Sequence, residues 1–404
     1  MEKRALEGLK FIGFVTDGVG PLTLRLMAMY GATVIQIESE DRPDGTRNRQ
    51  PFFKDNPGLN RATRYISTNF GKYGICLNMK HPDSRQVVER LVEWADVVVD
   101  NFRPGVLAKW GFGYEDLKKI KPNIIAASLC ARGQTGPFAR QAAYGPEVTA
   151  MSGITALSGW PDRKPITLGA YTDSLAPRFG ITSILAAIDY RNRTGKGQYI
   201  DISQLECAMN FISPALLDYS ANGVVETMTG NSSPSAAPRG AYRCKGDDEW
   251  CSIAVYSEDE WKRFCDAIDN PSWTTDPKFA TFKDRKANED ELNKLVEAWT
   301  CDKDRVDVRK IMVEHGVQAG EVRTLKDLYA GNAQLDARNH WFMQEQPDVG
   351  AIKARNTSYI LSKTKGEFSR PAPEIGQHTE YVLTQLLGFS DEEYVQLYQS
   401  GALT

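Results

Sequence analysis

Runs of apolar residues with no polar alternation constrain this chain more than any other feature. Residues 32–38 read Ala-Thr-Val-Ile-Gln-Ile-Glu. A strand with so many branched apolar side chains at consecutive positions hides both its faces, as strands of a covered parallel sheet do. The pattern recurs at 96–100 and 124–128, each time behind a helical pattern, at 87–95 and 114–120. Ahead of them lies the apolar run 9–15, then the turn Thr16-Asp17-Gly18-Val19-Gly20-Pro21, then Leu22, Leu24, Leu26, Met27 and Met29 before Gly31. Pro21 suits the first turn of a helix and Gly31 its stop. Strand and helix therefore alternate, and the expected class is α/β, a parallel sheet with helices on both faces.

Further along, a long apolar helix pattern after Pro177 (Phe179, Ile181, Ile184, Leu185, Ile188) runs to Thr194-Gly195-Lys196-Gly197, and 198–203 alternates as a strand before another helix. Residues 230–240, rich in Gly, Ser, Pro and Ala, mark a domain boundary or a functional loop. Beyond them Trp250, Trp261, Trp273 and Trp299 stand among dense charge and short amphipathic segments, the texture of a smaller α+β domain. Residues 376–387, with Tyr381, Val382, Leu386 and Leu387, carry a strongly amphipathic helix pattern. A chain of 404 residues exceeds what one core usually supports, which agrees with two domains.

Composition removes several functions. Lys plus Arg number 49 against 52 Asp plus Glu, a net charge of −3, so no global basic field exists to hold nucleic acid or an anionic membrane. No apolar run reaches bilayer length, and the opening Met1-Glu2-Lys3-Arg4 starts no apolar leader, so a cytoplasmic protein is expected. The scattered Cys76, Cys130, Cys207, Cys244, Cys251, Cys265 and Cys301 form no Cys-x-x-Cys pair and are expected as buried thiols. His81, His315, His340 and His378 stand at no metal-ligand spacing, so no metal is expected.

Three segments can carry chemistry. The Gly18-x-Gly20 turn, with Glu38 ending the next strand, has the outline of a dinucleotide site, where glycines admit a pyrophosphate and the acid a ribose hydroxyl. Thr23 stands where a third Gly belongs and Pro21 lacks an N–H, so an ordinary strand-to-helix turn is the plainer reading. Second, Arg42, Arg47, Arg49, Lys54, Arg61 and Arg64 face only Asp44 and Asp55 in their segment. Such a set suits a bound polyanion or a solvated loop. Lys72, Lys80, Arg103 and Lys109 add to it, Arg103 within the turn Asn101-Phe102-Arg103-Pro104-Gly105 at a strand's carboxyl end, where α/β sheets bind ligands. Third, Asp173 lies a few residues ahead of the long helix, whose free N–H groups keep a carboxylate ionised, as an N-cap or as a nucleophile.

Together these residues give the chain a family resemblance. Tyr30-Gly31-Ala32-Thr33, Leu77-Asn78-Met79-Lys80, Asn101-Phe102-Arg103-Pro104-Gly105, Gly133-Gln134-Thr135-Gly136-Pro137, Asp173, Thr194-Gly195-Lys196-Gly197-Gln198, Arg370-Pro371 and Gly376-Gln377-His378-Thr379 occur in an order and spacing that resembles the family III CoA-transferases. The resemblance implies a Rossmann-like large domain from both ends of the chain, 1–225 and 330–404, a small α+β domain at 226–329, and two interlocked subunits. It implies acyl-CoA and a small carboxylic acid as substrates and Asp173 as the nucleophile that forms a mixed anhydride. Matching CoA-contact positions are Val19, Met79, Lys80, Asn101, Phe102, Lys109 and Tyr144, with Arg103 added by the turn. Loop 230–240 would supply N–H donors to oxyanions, although Asn231-Ser232-Ser233 replaces the glycine-rich lid of some members.

The same fold serves α-methylacyl-CoA racemases, which need a His before an Asp where this chain has Tyr144-Gly145-Pro146. A racemase, and a non-catalytic CoA-binding subunit, are the alternatives to transfer. Within the family the texture is similar to benzylsuccinate CoA-transferase subunits, which implies a succinyl-CoA donor, an aromatic succinate acceptor, and either a homodimer or a heterodimer with a related chain. Arg178, close behind Asp173, is a candidate for an extra substrate carboxylate.

Overall fold

The apolar runs become one six-stranded, fully parallel sheet. In the computed structural model, which describes residues 4–404, β1 (Lys10–Phe14), β2 (Thr33–Glu38), β3 (Tyr73–Cys76), β4 (Val97–Asp100), β5 (Ile125–Cys130) and β6 (Tyr199–Ser203) lie in the order β3-β2-β1-β4-β5-β6. Ile12 pairs with Ile35 on one side and Val98 on the other, and Val98 with Ala126. Because side chains alternate across a strand, the two faces collect different cores. Phe11, Val97, Val99, Ile125 and Ala127 pack with Leu24 and Met27 of α1 (Val19–Met29). Ile12, Phe14, Val98 and Ala126 pack with Val87, Val88 and Leu91 of α2 (Ser84–Trp94) and Leu117 of α3 (Tyr114–Ile120).

Two local features depart from the sequence pattern. The helix expected after Pro177 begins earlier: α4 (Gly145–Met151) is followed by α5 (Tyr171–Thr194), with Pro177 inside it. The amphipathic stretch at 376–387 is not one α-helix but a turn at Thr379–Tyr381 joined to a π-helical turn at Val382–Leu386, with Val382 and Leu383 buried. The motif that ends α5 has a steric reason. Gly195 takes the left-handed cap conformation at φ 73°, and a Cβ on Gly197 would stand 2.0 Å from the Ile124 carbonyl oxygen.

The chain divides into two compact units. One holds the described residues up to Thr155 with Thr167–Val225 and Ala337–Thr404, the other Ala156–Ile166 with Glu226–Asp336. The excursion Ala156–Ile166, expected within the larger domain, belongs to the second unit, and no residue pattern in the sequence marks it. The second unit is a three-stranded antiparallel sheet, β7 (Arg239–Arg243), β8 (Trp250–Ala254) and β9 (Gln318–Glu321), packed by helices around Trp261, Phe264, Leu292 and Met312. Its loop 230–240 is pinned: Gly230 N–H donates to the Gly159 carbonyl (2.8 Å), Lys286 reaches Ser232 Oγ (3.0 Å), and Arg239 donates to the Asn231 and Ser232 carbonyls.

Six of the seven cysteines are buried, and Cys301, expected inside, is exposed beyond a helix end. Among the described residues no helix is long and apolar enough to cross a membrane.

Candidate active site

The strand order reverses where β1 and β4 lie side by side. Segments leaving their carboxyl ends run in opposite directions, and the crevice between them is where open α/β sheets bind ligands. Asn101, the residue after β4, ties the crevice together. Its Oδ1 accepts from the Thr16 N–H (2.9 Å) and its Nδ2 donates to the Thr16 carbonyl (2.8 Å).

The end of β2 holds the same loop from the other side. Glu38 accepts from the Asp44 N–H (2.9 Å), Asp44 accepts from the Asp17 N–H (3.2 Å), and the Gly45 N–H donates to the Thr16 hydroxyl (3.0 Å). Asp17 is thereby kept at φ 64°, a region that residues with a side chain seldom occupy. Its carboxylate meets Arg49 at 2.8 Å.

Asp173 stands in the first turn of α5, not ahead of it, and Ala170 rather than a carboxylate occupies the N-cap. The capping role is therefore excluded. Two glycines admit loops to within contact of the acid: a Cβ on Gly18 would lie 2.7 Å from Asp173 Oδ2, and one on Gly145 3.2 Å from it. Pro177 has no N–H to give to the Asp173 carbonyl four residues earlier. Burial first, then the Asp17 charge, push the Asp173 carboxyl from the ordinary 3.8 to about 6, while Arg64 and Arg49 pull it down. The group is ionised at neutral pH yet more basic than an ordinary aspartate, which favours nucleophilic attack.

Two cavities share Asp17, Gly18 and Asp173. The larger, about 310 Å³, is bounded by Val19, Asn101, Phe102, Arg103, Tyr144 and Gln204 among others. The smaller, about 190 Å³, is lined by Thr46, Arg49, Arg64, Ser67, Thr68 and Arg355. Of the residues singled out from sequence, Val19, Asn101, Phe102, Arg103, Tyr144 and Asp173 meet in the larger cavity. Phe102 stands edge-on to Trp110 (5.6 Å between rings), and Tyr144, 63% exposed, lies beneath Arg49 (5.5 Å). Met79 packs on the core, and Lys80 and Lys109 are exposed; none of the three lines either cavity. Arg178 turns back to donate to the Ser174 carbonyl of its own helix and also lines neither.

The basic stretch is dispersed rather than gathered on one polyanion. Arg47 is fully buried, ion-paired to Glu38 at 2.8 Å and lying 3.6 Å over the Tyr65 ring. Buried Lys72 donates to Gln36 (2.8 Å) and Asn69 (2.6 Å). Arg61 donates to the carbonyls of Asn56 and Asp348. Only Arg49 and Arg64 of that stretch face a cavity beside Asp173. Glu38 is consumed by Arg47 and Asp44, so it cannot serve as the ribose acceptor of a dinucleotide site. Arg355 gave no signal in the sequence, since only folding brings β11 (Gly350–Arg355), which pairs with β10 (Trp341–Gln346), to this cavity.

The model of CoA-transferase family III matches residues 6–379. A succinyl-CoA–D-citramalate CoA-transferase of Chloroflexus aurantiacus is 32% identical over 98% of this chain and 97% of its own. A succinate–glutarate CoA-transferase of Agrobacterium fabrum is 31% identical over 95% and 96%. The crystal structure of a CAIB/BAIF family protein from Brucella suis superimposes with a TM-score of 0.87 at 30% identity, covering 95% of this chain and all of that one.

Proposed function

The chain belongs to CoA-transferase family III, and from that premise we propose that it moves coenzyme A from succinyl-CoA to a second dicarboxylic acid through acyl intermediates on Asp173. The observation that carries the proposal is the placement of Asp173, a carboxylate of raised basicity on the shared wall of two cavities.

The family resemblance implies a chemistry that this placement supports. An Asp173 oxygen attacks the thioester carbonyl, the C–S bond breaks, and a mixed anhydride forms as CoA thiolate leaves. The thiolate then attacks the aspartyl carbonyl of the anhydride, giving an aspartyl thioester and the free donor acid. The incoming acid attacks that thioester, CoA leaves again, and the thiolate finally attacks the new acyl carbonyl, restoring the Asp173 carboxylate. Each tetrahedral oxyanion needs donors. The first turn of α1 supplies amides without intrahelical partners, and Gly18 and Val19 border the larger cavity.

The larger cavity takes the CoA end, with Phe102, Arg103 and Tyr144 at its edge and exposed Lys80 and Lys109 free to meet phosphates further along a long ligand. The smaller one takes the acid. D-citramalate and glutarate, in the names of the two relatives, are dicarboxylic acids. An arylsuccinate acceptor such as benzylsuccinate would place its succinyl portion in the same cavity, with its ring beyond the polar lining. Assembly as a dimer, with itself or a related chain, is supported by the helix Ser213–Asn222, which leaves Leu217 66% and Tyr219 61% exposed.

The test is to incubate the protein with succinyl-CoA, quench with hydroxylamine and map the modified peptide. A hydroxamate on Asp173, absent in Asp173→Asn, is expected; an unmodified Asp173 in a protein that still transfers CoA overturns the mechanism.

A further inference from the structure

We infer that the smaller cavity selects dicarboxylates: Arg64 and Arg355 hold the remote carboxylate of a short diacid whose other carboxyl group, free or as the thioester, meets Asp173. The inference rests on the transfer reading above and supplies what that reading leaves open, the groups that choose the acid.

The charges in the cavity do not balance without such a ligand. Three guanidinium groups line it, and Arg49 is already paired with Asp17 at 2.8 Å. Neither Arg64 nor Arg355 forms an ion pair among the described residues. Behind Arg355 stands a further cation. Arg25 is 2% exposed, donates to the Arg355 carbonyl (2.9 Å), lies over the rings of Phe368 (4.7 Å) and Phe70 (5.9 Å), and leaves Nε without a hydrogen-bond partner. Burial, then the Arg355 charge, pull the Arg25 group down to about 10. Arg355, with Arg25 behind it, thus adds positive charge to a cavity whose lining also holds Asp173.

Three arginines face the two carboxylates of Asp17 and Asp173, and the Arg64 charge already acts on Asp173; the remote carboxylate of a diacid answers the surplus with bidentate geometry, and a monocarboxylate has none to offer it. The volume, about 190 Å³, is several times what one water needs and far short of a nucleotide. Ser67 and Thr68 donate to the Arg64 carbonyl (2.9 and 3.1 Å), fixing the backbone from which its side chain departs. Donor acyl group and acceptor acid occupy the site in turn, so one pair of arginines screens both.

The experiment uses the full chain and the variants Arg64→Gln and Arg355→Gln, both at exposed positions where folding is not at stake. Exchange of labelled succinate into succinyl-CoA is measured beside exchange of butyrate into butyryl-CoA, with CoA affinity taken by calorimetry. Each variant is expected to lose about 10- to 150-fold in kcat/KM for succinate, the worth of a hydrogen bond to a charged group, while CoA affinity in both variants and butyrate exchange in Arg355→Gln stay at wild-type values; Arg64, whose charge also acts on Asp173, is read by its succinate-to-butyrate ratio. Wild-type succinate exchange in both variants overturns the assignment. So does a parallel loss of CoA affinity, which would make these arginines phosphate ligands. A wild-type protein that forms no Asp173 adduct with any acyl-CoA overturns the transfer mechanism itself, and the assignment with it.

Discussion

Replacing Asp173, the proposed nucleophile, should make the protein more stable. Asp173 is held in a setting that opposes its charge, with its carboxyl raised from 3.8 to about 6 by burial and by Asp17. The native state therefore keeps a proton that the unfolded chain has released between those two pH values, and stability falls as pH rises through the interval. Above it the full cost of ionising the folded site applies, at most about 3 kcal/mol at 1.36 kcal/mol per unit. Asp173→Asn mimics the protonated acid at every pH. Denaturant unfolding should place the variant level with the wild type near pH 3.5 and about 1–3 kcal/mol above it at pH 7.5, with the gap opening between pH 4 and 6. Equal stability at pH 7.5, or a gap that widens toward acid, would refute the placement of this carboxylate.

Three further changes probe the same architecture. Asp17→Asn removes a charge that raises the Asp173 carboxyl, so the acid limb of the kcat/KM profile should move to lower pH; an upward move contradicts the assignment. Gly18→Ala puts a Cβ 2.7 Å from Asp173 Oδ2, and acyl-aspartyl formation in rapid-quench experiments should slow by about 100-fold, the usual cost of a small misplacement, with CoA affinity held. Arg47→Met leaves Glu38 buried without its partner and should cost about 3–5 kcal/mol in equilibrium unfolding.

The sheet was legible because its central strands are dominated by consecutive branched apolar residues. A run such as Val97-Val98-Val99 admits only a strand covered on both faces, and the helices between such runs then force parallel crossovers. Asp173 was legible only through the order of surrounding motifs; by itself it looked like a cap. The reason is local: the cap is decided by where the helix starts, and Pro177 suggested a start several residues too late. Arg355 was illegible because nothing near it in sequence speaks of a site. Its place there follows from a hairpin that returns beside α1 and brings its last residue to a cavity built largely from the other end of the chain.

Arg47 and Arg49 show why counting cations in a loop misleads. They sit two residues apart at the end of one 3₁₀ turn, Gly45–Asn48, and composition treats them alike. Asp44 caps that turn by accepting from the Thr46 N–H (2.8 Å) and also holds the Asp17 N–H, so the turn and the loop at 16–18 are fixed to each other. From this frame Arg47 reaches inward to Glu38, closing β2, while Arg49 reaches outward to Asp17 and the cavity of Asp173. The first arginine anchors the backbone that orients the second. Loss of Arg47 should therefore weaken transfer as well as folding, while loss of Arg49 should spare the fold.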